Sequence, residues 1–98
     1  MKLENENIVL SAVEIELLSL AKNEQVDAQY PVEEFIGSMA SIKEEAEEYI
    51  RETQSKPDYS EHDSLKIGVV QLLIEVCEMM SERAYATVQD AGYTIKWQ

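Results

Sequence analysis

The stretch from Ser64 to Ala91, SLKIGVVQLLIEVCEMMSERAYATVQDA, constrains this chain more than any other part, because it is the longest apolar-rich run. As a helix rising 1.5 Å per residue it would be about 40 Å long, the longest element of a small domain. Gln71, Glu75, Glu78, Glu82 and Gln89 recur at steps of three, four or seven and share one narrow face. Most of the remaining circumference from Leu65 to Met80 is apolar, including Ile67, Val69, Val70, Leu72, Leu73, Ile74, Val76 and Cys77. A surface helix hides a single stripe, whereas a helix apolar on most sides needs cover from several directions. Lys66, Glu75, Glu78 and Glu82 interrupt the run too often for a transmembrane span. The run therefore reads as the central helix of a bundle, covered by two helices of its own chain or by a second copy of it.

Two further helices are expected before it. Ser11 followed by Glu14 is a capping-box pattern, and Leu10 with Ile15 fits the hydrophobic staple that often accompanies one. The helix that follows runs from Ala12 to about Lys22, rich in Leu, Ala and Glu, with apolar residues most of the way round. The alternation Val13-Glu14-Ile15-Glu16-Leu17 would also suit a strand locally. Asn23 to Tyr30 reads as a polar connection, and Pro31 as the first residue of the second helix, where its missing N–H is not needed. From there Val32, Phe35, Ile36, Met39, Ile42, Ala46, Tyr49 and Ile50 recur at threes and fours, the clearest amphipathic pattern in the chain. Pro57 ends that pattern, Ser60 and Asp63 form a second capping-type signal, and Gly92 is placed to cap the long helix. Short extended segments are expected at Ile8–Leu10 and at Tyr93–Trp97, the latter packed on the bundle, paired with Ile8–Leu10 or exposed for docking. The expected fold is an all-α three-helix bundle in a single domain spanning 1–98, with short extended ends, and dimeric.

The charge is the unusual quantity. Twenty acidic residues face eight basic ones, a net charge of −12. The segment from Pro31 to Asp63 alone holds 10 acids against 3 bases. On the second helix Glu33, Glu34, Glu44, Glu45, Glu47, Glu48 and Glu52 project opposite the apolar face. Glu44 with Glu48, and Glu48 with Glu52, are like charges one turn apart, costing a few tenths of a kcal/mol, roughly, per pair. Direct nucleic-acid binding and anionic membrane surfaces are disfavoured, since both need clustered Lys and Arg. A basic partner protein, a divalent cation and plain solubility remain as readings of the acidity. The segment from Met1 to Leu10 lacks the pattern of a signal peptide, and a cytoplasmic protein is expected.

Nucleophilic catalysis has little support. Cys77, the single cysteine, lies among aliphatics, where a thiol pKa rises and the group is inert. His62, the single histidine, stands in Asp58-Tyr59-Ser60-Glu61-His62-Asp63, a donor-rich segment that also reads as an ordinary helix start. Met39, Met79 and Met80 read as packing rather than as an adaptable groove. Glu44 and Glu48 lie one turn apart, and Glu75 and Glu78 share the polar stripe of the long helix. Two helices presenting acids in this way suit Mg²⁺ or Mn²⁺, which prefer oxygen ligands.

Between Ile42 and Met80 this spacing is similar to the all-helical MazG-type nucleotide pyrophosphatases, whose pattern is Glu-Glu-x-x-Glu and, on another helix, Glu-x-x-Asp. The resemblance implies that Glu44, Glu45 and Glu48 stand for the first half and Glu75 and Glu78 for the second, with Glu78 in place of the family's Asp. An alignment matched on the apolar run instead puts Lys66 and Val69 where that family keeps acids. No basic residues cluster to hold a triphosphate.

The leading expectation is a non-enzymatic interaction module without a cofactor. In it Glu44, Glu45, Glu47, Glu48 and Glu52 dock on a basic protein surface, such as that of a nucleic-acid-binding protein, and a homodimer forms. The alternatives are the metal-dependent pyrophosphatase, with Glu44, Glu48, Glu75 and Glu78 as ligands, and a structural oligomer with no separate activity.

Overall fold

A computed structural model describes residues 1–92. Three helices and three short strands follow one another as β1 (Lys2–Glu4), β2 (Asn7–Val9), α1 (Ala12–Lys22), β3 (Gln29–Pro31), α2 (Val32–Gln54) and α3 (Glu61–Asp90). The chain is mostly helical, as expected, but not all-α. The three strands form a small antiparallel sheet in the order β1-β2-β3. The extended segment expected at Tyr93–Trp97 lies outside the described residues.

Local chemistry accounts for the helix boundaries. At the start of α1 the Ser11 hydroxyl accepts the Glu14 N–H, and the Glu14 carboxylate accepts the Ser11 N–H at 2.9 Å, a complete capping box. Asn23 closes the helix in the left-handed conformation that Asn tolerates better than most residues. Ser60 and Asp63 repeat the box at the start of α3. The hydrogen bond from the Ser60 backbone, helped by the Ser60 hydroxyl and nearby Lys56 and Lys66, holds the Asp63 carboxyl below its ordinary pKa against the opposing effect of desolvation. Ser60→Ala removes this cap without touching the core, and urea unfolding is expected to show a loss of about 1 kcal/mol with an unchanged m-value.

Pro31 departs from its expected role. Its ψ of 141° is extended; it closes β3 opposite Asn7, and the helix begins one residue later at Val32. Asn23–Tyr30 is likewise more than a connection. It returns the chain so that Tyr30 pairs with Ile8, and the Leu10 N–H donates to the Ala28 carbonyl at 2.8 Å. At the β1–β2 turn, Asn5 and Glu6 both have positive φ, as a two-residue type I′ hairpin requires. β2 has partners on both sides, so Ile8 and Val9 have no free edge.

α2 and α3 form an antiparallel helical hairpin. Lys43 meets Glu78 near its middle, and Lys56 meets Asp63 near its loop. α1 packs on the opposite flank of α3, also antiparallel, with Glu14 beside Arg83. The core lies where the sheet meets the helices: Ile8, Leu18, Phe35, Met39, Cys77, Met80, Ala84 and Val88 are buried there together. Met39 and Met80 are buried and Met79 packs against them, so the methionines fill the core. Burial pushes the Cys77 thiol above its ordinary pKa, outweighing nearby Lys22. Among the described residues, no helix is long and apolar enough to cross a membrane.

The cover on α3 is uneven. Its C-terminal half buries Cys77, Met80, Ala84 and Val88, but Leu65, Val69 and Leu72 in its N-terminal half remain exposed. α1, the helix on that flank, itself leaves Val13 and Leu20 in solvent.

Candidate functional site

The acidic face of α2 is laid out as the helical projection predicts. Glu44, Glu45, Glu48 and Glu52 are exposed on the side turned away from the core residues Ile36, Met39 and Ala46. Residues four apart on a helix are about 6 Å apart along its axis, so Glu44, Glu48 and Glu52 make a row of carboxylates at that spacing. Glu48 has a loose pairing with Arg51 at 4.0 Å. Glu47 differs from the others: it is half-buried and stands 4.0 Å from Lys43. Lys43 also reaches across to Glu78 on α3 at 3.4 Å, so Glu47 and Glu78 flank one ammonium group.

The four acids of the metal reading are arranged differently from what that reading needs. Glu78 is engaged with Lys43, and Glu44, Glu48 and Glu75 are exposed. Among the described residues no group of three or more His, Cys, Asp or Glu side chains is placed to hold a metal ion. His62 is exposed in the first turn of α3, and neighbouring Asp63 is taken up by Ser60 and by Lys56 at 3.7 Å. Between α2 and α3 lies an open groove of about 340 Å³ with Ile36, Met39 and Ala40 among its apolar lining and Lys43, Glu82 and Tyr85 among its polar lining.

No family model, no curated protein and no solved structure matches this chain. What can be said of its sites therefore rests on geometry.

Two features of that geometry are not apparent from residue spacing. The first is a buried charge cluster at Glu14. Its Oε1 lies 2.7 Å from the Met1 ammonium and accepts the Ser11 N–H, while its Oε2 accepts from Arg83 Nη1 at 3.2 Å. The side chains of Glu14 and Met1 are both almost fully removed from solvent. Burial by itself drives this carboxyl's pKa upward. The hydrogen bond from the ammonium, those involving the Ser11 backbone and hydroxyl, and the ammonium's charge together outweigh it, and Glu14 titrates at about 2. The cluster ties the first strand, α1 and α3 to one another and leaves no buried side-chain polar atom unpaired among the described residues. Its arrangement is that of a structural junction, since the Met1 ammonium, Ser11 and Arg83 all bond to Glu14. The capping box marked Glu14 from the sequence, but Arg83, 69 residues away, had no local signal.

The second feature is an open apolar groove of about 270 Å³ between α1 and α3, lined by Leu17, Leu20, Ala21, Val69, Leu72, Leu73 and Val76.

Proposed function

We propose that this protein is a non-enzymatic interaction module that docks the acidic face of α2 on a basic surface of a partner protein. One observation carries the reading: Glu44, Glu45, Glu48 and Glu52 stand in solvent along one helix and serve no part of the core. Like charges one turn apart oppose the helix slightly, so the row has no value to the fold that would account for it. Such a row, at about 6 Å intervals on a rigid support, imitates a run of phosphates. A basic protein surface, above all one that binds nucleic acid, is the complementary partner. Long-range attraction of this kind sets association rate and specificity more than final affinity.

The test uses purified nucleic-acid-binding proteins with basic binding surfaces as probes. The wild-type chain is expected to bind one of them, to lose affinity steeply as salt rises, and to compete with duplex DNA for the same surface. Glu44→Lys/Glu45→Lys/Glu48→Lys should abolish that binding while leaving the helical circular dichroism intact. Binding that survives the triple reversal would reduce the acidic face to a solvating role.

A further inference from the structure

We infer that the exposed apolar face of α1 and the N-terminal half of α3 is the contact surface for a second copy of this chain. The face is laid out for helix packing. Val13, Leu17 and Leu20 on α1 repeat at four and three residues, and Leu65, Val69 and Leu72 on α3 do the same. That alternation is the seam spacing of helices that interlock side by side, and here it faces water. Val13, Leu20 and Leu65 are 73%, 73% and 72% exposed, and Val69 and Leu72 are 65% and 60% exposed.

Area argues in the same direction. With the partly exposed Leu17, these six side chains present roughly 700 Å², above the largest apolar patch usual on a monomer and close to the roughly 800 Å² each partner contributes to a standard interface. Gly68 borders the stripe, and a Cβ placed there would meet nothing within 4 Å in this chain. Glycine is a poor helix former, and the monomer makes no use of the missing side chain. Close approach by another helix does make use of it.

Within the described fold nothing covers this face, and its form argues for a second copy as the occupant. A two-helix face is matched best by another two-helix face, and a two-fold axis through this one joins α1 and α3 of each copy into a four-helix bundle. The acidic row is on α2, across α3 from α1, so the dimer is independent of the docking reading and leaves that row free.

Sedimentation of the full chain from about 1 to 100 µM tests the inference. The wild type is expected to weigh twice 11.2 kDa, with dimerisation strengthened by added salt that screens the −12 charge on each copy. Val69→Lys/Leu72→Lys should sediment as a monomer with unchanged helical circular dichroism, both positions being exposed in the single chain. Lysine is chosen because it lowers the net negative charge, so general repulsion cannot explain the dissociation. Should that variant lose its helical signal, Leu20→Lys on the other helix is read in the same way. A wild type that stays monomeric over the whole range overturns the inference, as does a dimer that survives these substitutions. A monomer that binds an apolar dye at this face would assign the face to a different occupant, and so also overturns it. The Glu44→Lys/Glu45→Lys/Glu48→Lys variant should dimerise like the wild type, which keeps the failure of either proposal distinct from that of the other.

Discussion

Glu14→Gln is expected to lower the unfolding free energy by about 3–5 kcal/mol, the range for removing one partner of a buried ion pair. The amide keeps the shape and one acceptor but leaves the Met1 ammonium, 2.7 Å away, without its counter-charge. Arg83 loses its partner too, although its side chain is more than half exposed and water can serve it. The pH dependence follows from the same group. Its folded pKa of about 2 lies below the ordinary value of 4.5, so its contribution is present in full above about pH 4.5 and is lost as pH falls toward 2. A shift of that size corresponds to about 3 kcal/mol. Urea titrations of the wild type between pH 6 and 2 should therefore show a steep decline below pH 4.5. In Glu14→Gln the part of the decline that belongs to this carboxyl should be missing. Equal slopes in the two proteins would show that the cluster contributes little to stability.

Phe35→Ala is expected to cost about 3–5 kcal/mol, as large-to-small changes of buried aromatics do. Among the described residues Phe35 is the largest fully buried side chain, and it packs its ring against Tyr30 at 5.7 Å between centroids and 51° between planes. Tyr30 belongs to β3 and Phe35 to the first turn of α2, so this pair fastens the sheet to the helical hairpin. A domain of this size has about 5–15 kcal/mol in all, and the substitution removes about a fifth of that or more. At about 4–8 °C per kcal/mol, the melting temperature should fall by at least about 12 °C. Phe35→Leu, which refills most of the volume, should recover more than half of the loss. If it does not, the aromatic pairing rather than the filled volume is what matters there.

The helices were legible because their ends carry chemistry of their own. Ser11 with Glu14 and Ser60 with Asp63 satisfy the first free N–H groups of α1 and α3, and those signals mark Ala12 and Glu61 as the starts. The sheet was not legible. Strands of three residues are too short to show an alternation, and the β1–β2 turn uses Asn5-Glu6 where Asn-Gly is the recognisable pair. Pro31 gave a real signal that two structures satisfy, the first position of a helix and the last of an edge strand. The pairing of Tyr30 with Ile8 decided between them. On α2 the exposed acids Glu44, Glu45, Glu48 and Glu52 followed from period alone, whereas the engagement of Glu47 and Glu78 by Lys43 depends on how α2 and α3 are registered. Likewise, the apolar circumference of α3 announced a need for cover. Only the packing reveals that Leu65, Val69 and Leu72 are the part left without it.

The two outer strands have a consequence for how this chain behaves when it is crowded. β1 is three residues long, with Lys2 and Glu4 exposed on it. β3 is as short and ends at Pro31, which has no N–H to offer an incoming strand. Neither edge provides the long, flat, apolar template on which cross-β growth begins. Concentrated samples should therefore resist fibril seeding from the native state, and whatever association they show will be helical in character. Pro31→Val would restore a backbone donor and a β-former at one rim, and it is the single change at these edges most apt to convert a well-behaved solution into a fibrillising one.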